Sequence, residues 1–181
     1  RNLDLKIYMD IDENLRRYWK IERDTAKRGY SKEKIIKQIS ERELDVQKYI
    51  YPQKRYADLI ICYFDKHLTS YLIDNHRVQL SLKVTLSADI DLEMLIQVTE
   101  KYGIAVEYDY DEDLKTQSVV FSGEQLESEA PTLPFAEIAE SMIPQLDEII
   151  DHPLEASDDM HGILEIILLL LISKKLQGDD L

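Results

Sequence analysis

Apolar residues recur along this chain with two periods, and the switches between them mark out its elements. Leu5, Ile7, Met9 and Ile11 alternate with more polar neighbours, the period of a strand. From Asp12 to Ser31 the period lengthens to that of a helix. At about 100° per residue, Leu15, Tyr18, Trp19 and Ala26 share one sector roughly 100° wide, which predicts a face buried against protein. Asp12 is placed to cap this helix, Glu13 suits its positive end, and Gly29 stands where a left-handed residue closes it. Ser31 opens a second helix running to about Lys48, with Ile35, Ile36, Ile39 and Leu44 on its apolar side, and Pro52 stops it. Ala57 to Phe64 is apolar on both faces, as in a strand inside a parallel sheet. These elements predict a β-α-α-β crossover unit of right-handed sense.

After a boundary at residues 65–75 the pattern changes. Arg77 to Leu86 alternates cleanly, Asp91 to Tyr102 reads as a helix closed by Gly103, and Ile104 to Tyr110 and Gln117 to Ser122 read as two strands. A polar, proline-containing loop at 124–134 leads to short helices broken by Pro144 and Pro153, then to a long apolar helix from Met160 to Leu176. The fold class expected is an α/β crossover unit over residues 1–65, followed by an α+β domain over 66–181 with helices on one side of an antiparallel sheet.

Charge reinforces that division. The net charge is −14, yet residues 1–66 carry 16 Lys/Arg against 12 Asp/Glu, and residues 67–181 carry 6 against 24. So acidic a neighbour disfavours nucleic acid as the partner of the basic helix. The single cysteine, Cys62, excludes an internal disulfide and suits a cytoplasmic protein. The most apolar run, Gly162 to Ile172, is too short to span a bilayer and contains Glu165, so no membrane is expected. His67, His76, His152 and His161 share no metal-ligand spacing, and no metal site is expected. Asp109, Asp111 and Asp113 alternate as in a calcium loop, but the glycine and terminal glutamate of such a loop are missing; an acidic hairpin turn is expected.

The candidate chemistry lies on the first helix. Arg16, Lys20, Arg23 and Lys27 form a stripe opposite the apolar sector, with Arg17, Asp24 and Arg28 beside it. Cations so placed repel one another unless an anion meets them; the plainer alternative is a solvated basic face. Lys20-x-x-Arg23-Asp24-x-x-x-Arg28-Gly29 resembles the lid of the phosphoribulokinase and uridine kinase family, P-loop kinases. LKIYMDID, from Leu5 to Asp12, resembles the strand that delivers that lid. Pro52-Gln53-Lys54-Arg55-Tyr56-Ala57-Asp58 resembles the family's P-x-K-x-Y-A-D segment entering the next strand.

The resemblance implies an ATP- and Mg2+-dependent kinase acting on a hydroxyl of a sugar phosphate or nucleoside. Arg23 and Arg28 are then the catalytic residues, and Lys20, Arg23, Arg28 and Lys54 contact the phosphates. Planar guanidiniums meet the charge of a transferring phosphoryl group with paired donors. Asp24 is expected to orient a neighbouring arginine or lysine, and the catalytic base to lie upstream. No Gly-x-x-x-x-Gly-Lys-Ser/Thr occurs in the chain, so it reads as the C-terminal part of such a kinase, inactive alone. By resemblance, Leu5 to Ile11 then lacks a neighbouring strand. Its edge is expected to be covered by Arg77 to Leu86 or by another copy of the chain, and a homo-oligomer is expected. The competing reading is a non-catalytic regulatory or assembly module acting through the acidic segment.

Overall fold

In the computed structural model, residues 3–123, 133–151 and 159–178 are described. The loop expected at 124–134 lies outside them except for its last two residues, as do His152 and Pro153. The alternating run at the start forms strand β1, Ile7–Ile11, and the apolar run after Pro52 forms β2, Leu59–Phe64. They pair in parallel, with Met9 opposite Ile61. Between them come helices α1, Glu13–Arg28, and α2, Lys32–Asp45.

Local chemistry sets these boundaries. The Asp12 carboxylate accepts the Asn14 and Leu15 N–H groups at 2.9 and 3.2 Å, and Gly29 ends α1 at φ 64°. Ser31 caps α2 by accepting the Lys34 N–H. Instead of continuing to Lys48, α2 widens into a π-helical turn, Val46–Ile50, and then a 3-10 segment, Tyr51–Tyr56, with Pro52 in its first turn. Leu44 is consequently exposed, and α2 buries only Ile35 and Ile39.

The buried face of α1 also differs from the expectation. Leu15, Tyr18, Ile21 and Asp24 are buried, whereas Trp19 is 37% exposed and Ala26 is exposed. The buried positions follow a three-residue ridge inclined to the helix axis. That slant arises because α1 packs on Leu68 and Tyr71 of the connection after β2, and on Ile35 and Ile39 of α2, rather than along a flat sheet.

The connection at residues 65–80 is organised by a buried carboxylate. Asp65 accepts the N–H groups of His67 and Gln79 and the Nε2 of His76, each at 2.8 Å. It returns the chain to β3, Ser81–Ser87, which lies antiparallel beside β2 with Val84 opposite Ile61. Helix α3, Glu93–Lys101, leads to the hairpin of β4, Ala105–Tyr110, and β5, Thr116–Ser122. The order is β1-β2-β3-β5-β4, a mixed five-stranded sheet that runs on through the boundary expected at residues 65–75. β3 therefore covers β2, and β1 stays at the sheet edge.

One face of the sheet is covered by α3, by α4, Phe135–Met142, and by α6, Asp159–Leu176; the short α5, Leu146–Ile149, packs at the margin of the same core. Leu59, Ile61, Val84 and Phe121 meet Leu95, Ile138, Ile163 and Ile167 there, all nearly solvent-free. The apolar run expected to form a buried helix is thus α6. Among the described residues no helix is long and apolar enough to cross a membrane.

Candidate functional site

Helix α1 starts where β1 ends, because the Asp12 N–H donates to the Tyr63 carbonyl of β2 at 2.8 Å. Two further contacts hold its first turns. The Tyr18 hydroxyl donates to the His76 carbonyl at 3.0 Å, and the Arg17 guanidinium lies 5.2 Å from the centre of the Tyr71 ring. So anchored, the helix presents its basic stripe to a groove of about 530 Å³, lined by Arg16, Lys20, Arg23 and Lys27 with Trp19 and Ile11.

Asp24 gathers the central cations. Its carboxylate is fully buried, though it belongs to no apolar cluster; the side chains around it do the covering. Oδ2 accepts from Lys20 Nζ at 3.1 Å, and Oδ1 from Arg23 Nε at 2.9 Å, with Arg28 Nη1 3.4 Å from the same oxygen. On an ideal helix Arg23 and Arg28 stand about 140° apart, yet both side chains bend to this one carboxylate. The hydrogen bond from Arg23, joined by Lys20, holds Asp24 down to a pKa of about 2 against the opposing effect of burial.

The outer cations have other partners. Glu13 receives Arg16 at 2.8 Å and also pairs with Arg17, which reaches on to Glu43 of α2 at 3.0 Å. Lys27 makes no ion pair among the described residues. Lys54 stands apart from the Asp24 cluster: it pairs with Asp10 of β1 and lies against the rings of Tyr8 and Tyr51, at 5.6 and 5.9 Å from their centres. Burial lowers the Lys54 pKa, and the Asp10 carboxylate more than offsets it, so the net shift is upward. The structure therefore brings Lys20, Arg23 and Arg28 together and leaves Lys54 at a separate point.

Sequence reasoning gave Glu13 only a place at the positive end of α1 and missed its pairing with Arg16 and Arg17; it missed Asp10 and Ile21 altogether. The three- and four-residue spacing from Glu13 to Arg16 and Arg17 was a usable signal. The Asp10–Lys54 pair spans 44 positions and left none. Among the described residues, no group of three or more His, Cys, Asp or Glu could hold a metal ion.

Residues 1–70 match the model of the Phosphoribulokinase / Uridine kinase family, and over that stretch the resemblance read from the motifs holds. The chain is 51% identical over 59 residues to a chloroplastic phosphoribulokinase of Chlamydomonas reinhardtii, which is 33% of this chain and 16% of that protein. It is 46% identical over 59 residues to a phosphoribulokinase of Synechocystis sp., covering 33% and 18%. A uridine kinase of Borrelia turicatae is 46% identical over 63 residues, covering 34% and 31%. The chain spans less than a third of the length of these relatives.

Proposed function

We propose that the complete protein is an ATP-dependent kinase that phosphorylates a hydroxyl of a sugar phosphate or a nucleoside, with residues 12–31 as the lid that grips phosphate. The observation carrying this reading is the convergence of Lys20, Arg23 and Arg28 on Asp24, within the stretch shared with phosphoribulokinases and uridine kinases. Transfer forms a bond from the acceptor oxygen to the terminal phosphorus of ATP and breaks the bond to ADP. The acceptor proton goes to a base outside this chain. Charge spreads over the equatorial oxygens of the moving group, and the guanidiniums of Arg23 and Arg28 meet it with donors that stay charged at any working pH. Lys20 adds a third positive charge. Closure of such a helix over the phosphates would exclude water from the transfer.

The chain contains no P-loop, so ATP with its Mg2+ would be cradled by polypeptide outside these residues. Lys54, bound to Asp10 away from the cluster, would contact a nucleotide separately from Lys20, Arg23 and Arg28. The lone Cys62 suits a cytoplasmic setting.

In the complete protein, Arg23→Ala and Arg28→Ala should each lower turnover about 100-fold or more, since removing one preorganised donor costs about 3–4 kcal/mol in the transition state. Thermal stability should hardly change, because both side chains are more than half exposed. Retention of over half the activity by either variant would refute the lid reading.

A further inference from the structure

We propose that the groove between α3 and the β4–β5 hairpin binds a linear polyamine. The groove lies outside the stretch shared with the kinases, so its ligand is independent of the phosphoryl-transfer reading.

Its walls follow from the elements. Tyr108 and Tyr110, alternate residues of β4, stand on one sheet face. Glu93 and Glu100 of α3 line the other side of the same groove, which encloses about 600 Å³. Small organic ligands occupy sites of about 300–1,000 Å³. The two tyrosine rings lie 6.4 Å apart at an angle of 86°, and both are exposed. The negative face of such a ring attracts an ammonium ion. Asp91 adds a third carboxylate, and among the described residues no lysine or arginine lines the groove.

Three observations separate a ligand site from a solvated acidic face. Asp91 and Glu93 suit the positive start of α3, but Glu100 stands in its last turn, where the negative end of the helix disfavours a carboxylate. Helix stability does not account for it there. Second, Asp91, Glu93 and Glu100 make no ion pair among the described residues; Asp91 accepts the Glu93 N–H, and Glu93 accepts Gln97 Nε2, both neutral donors. Asp89, which also borders the groove, is satisfied by an ammonium, since Lys174 Nζ donates to its carboxylate at 2.6 Å and to its carbonyl at 3.1 Å. Third, Gln117 faces Tyr110 across the hairpin and is only 5% exposed. Its Nε2 donates to the Ser87 and Ile90 carbonyls, which fixes the amide and leaves Oε1 for the groove that Gln117 lines. That oxygen accepts no hydrogen bond among the described residues, and an acceptor so nearly buried needs a donor.

A divalent cation is the alternative occupant, and geometry decides against it. Among the described residues no three carboxylates converge closely enough to hold a metal ion. Glu93 and Glu100, seven positions apart, are instead separated by about 10 Å along the helix axis. Charges spaced along a flexible chain fit that span. Spermidine carries three ammonium groups, and its outer nitrogens, nine bonds apart, stand about 11 Å from each other when extended.

The test titrates spermidine into the 181-residue chain at physiological ionic strength, followed by calorimetry and by backbone amide signals. Saturable one-to-one binding is expected, with the Tyr108, Tyr110 and Gln117 amides shifting along one curve. Tyr108→Leu and Glu100→Gln should each weaken binding about fivefold. Both side chains are exposed, so the fold should persist. Asp113→Asn removes the same charge from the hairpin turn outside the groove and should leave binding unchanged. Equal weakening by Asp113→Asn and Glu100→Gln, or displacement of spermidine by magnesium chloride more readily than by sodium chloride of the same ionic strength, would overturn the proposal. If a groove variant unfolds, the wild-type amide map decides alone. Shifts confined to the acidic turn at residues 109–113, or absent at Tyr108 and Gln117, would overturn it.

Discussion

Trp19 and Asp24, five positions apart on one helix, exchange the places that their side-chain types suggest. The indole is 37% exposed on the groove and the carboxylate is fully covered. Hydrophobic periodicity alone misleads here because three cationic side chains can cover a carboxylate as completely as a core would. Trp19→Ala should therefore cost about 1 kcal/mol in denaturant unfolding, well short of the 3–5 kcal/mol of a buried tryptophan. Iodide should quench the fluorescence of Trp19, the only tryptophan. A second expectation concerns acid. The folded pKa of Asp24 is depressed from 3.8 to about 2, so its contribution is fully present above about pH 4 and lost as pH falls toward 2. A carboxyl carbon-13 titration should give a midpoint near 2; a midpoint near 4 would mean that the three cations do not hold it.

At the scale of elements, several boundaries with a chemical stop sign were legible, though Pro52 was not one of them: α2 ends before it, at Asp45. Asp12, Gly29, Ser31 and Gly103 end or begin elements where their side chains or positive φ require it. What could not be read was set by distant contacts. The slanted contact of α1 depends on Leu68 and Tyr71, which lie beyond β2. The return of β3 beside β2 depends on the Asp65 knot. The basic stripe was legible as a candidate site, but its closure on Asp24 was not, because ideal helix geometry keeps Arg23 and Arg28 apart. Gly162 shows the same dependence in α6. A Cβ there would fall within 2.6 Å of three atoms of the Phe135 ring in α4. Gly162→Ala gains about 1 kcal/mol of helix propensity and forces α4 off α6 at about 1–3 kcal/mol. A net loss of stability is expected by thermal denaturation, and a gain would show that the two helices are not in contact.

For the whole molecule, the open side of β1 is the feature with the largest consequence. Ile7 and Met9 lie on the sheet face that elsewhere forms the core, yet they are 45% and 58% exposed beside a strand edge that no other strand pairs among the described residues. Antiparallel pairing of two β1 strands about Met9 would set Lys6 of one copy opposite Asp12 of the other, a favourable match of charges. Sedimentation at micromolar concentration should accordingly show a dimer of the 21.2 kDa chain, and Met9→Lys should return it to monomer. A monomer in the wild type would contradict this pairing. At the opposite end of β1, the bond from Asp12 to Tyr63 and the seat of Tyr18 on His76 fasten the beginning of α1, while Ile21 farther along packs on Ile35 and Ile39 of α2. Moving together with α2, the helix would be a lever arm of about 24 Å. A rotation of about 10° at its root would carry the far end through about 4 Å, several times the displacement of Arg16. Small adjustments at the sheet would thus be geared up into larger travel at Arg28, and the charges farthest from the pivot would sweep the widest arc.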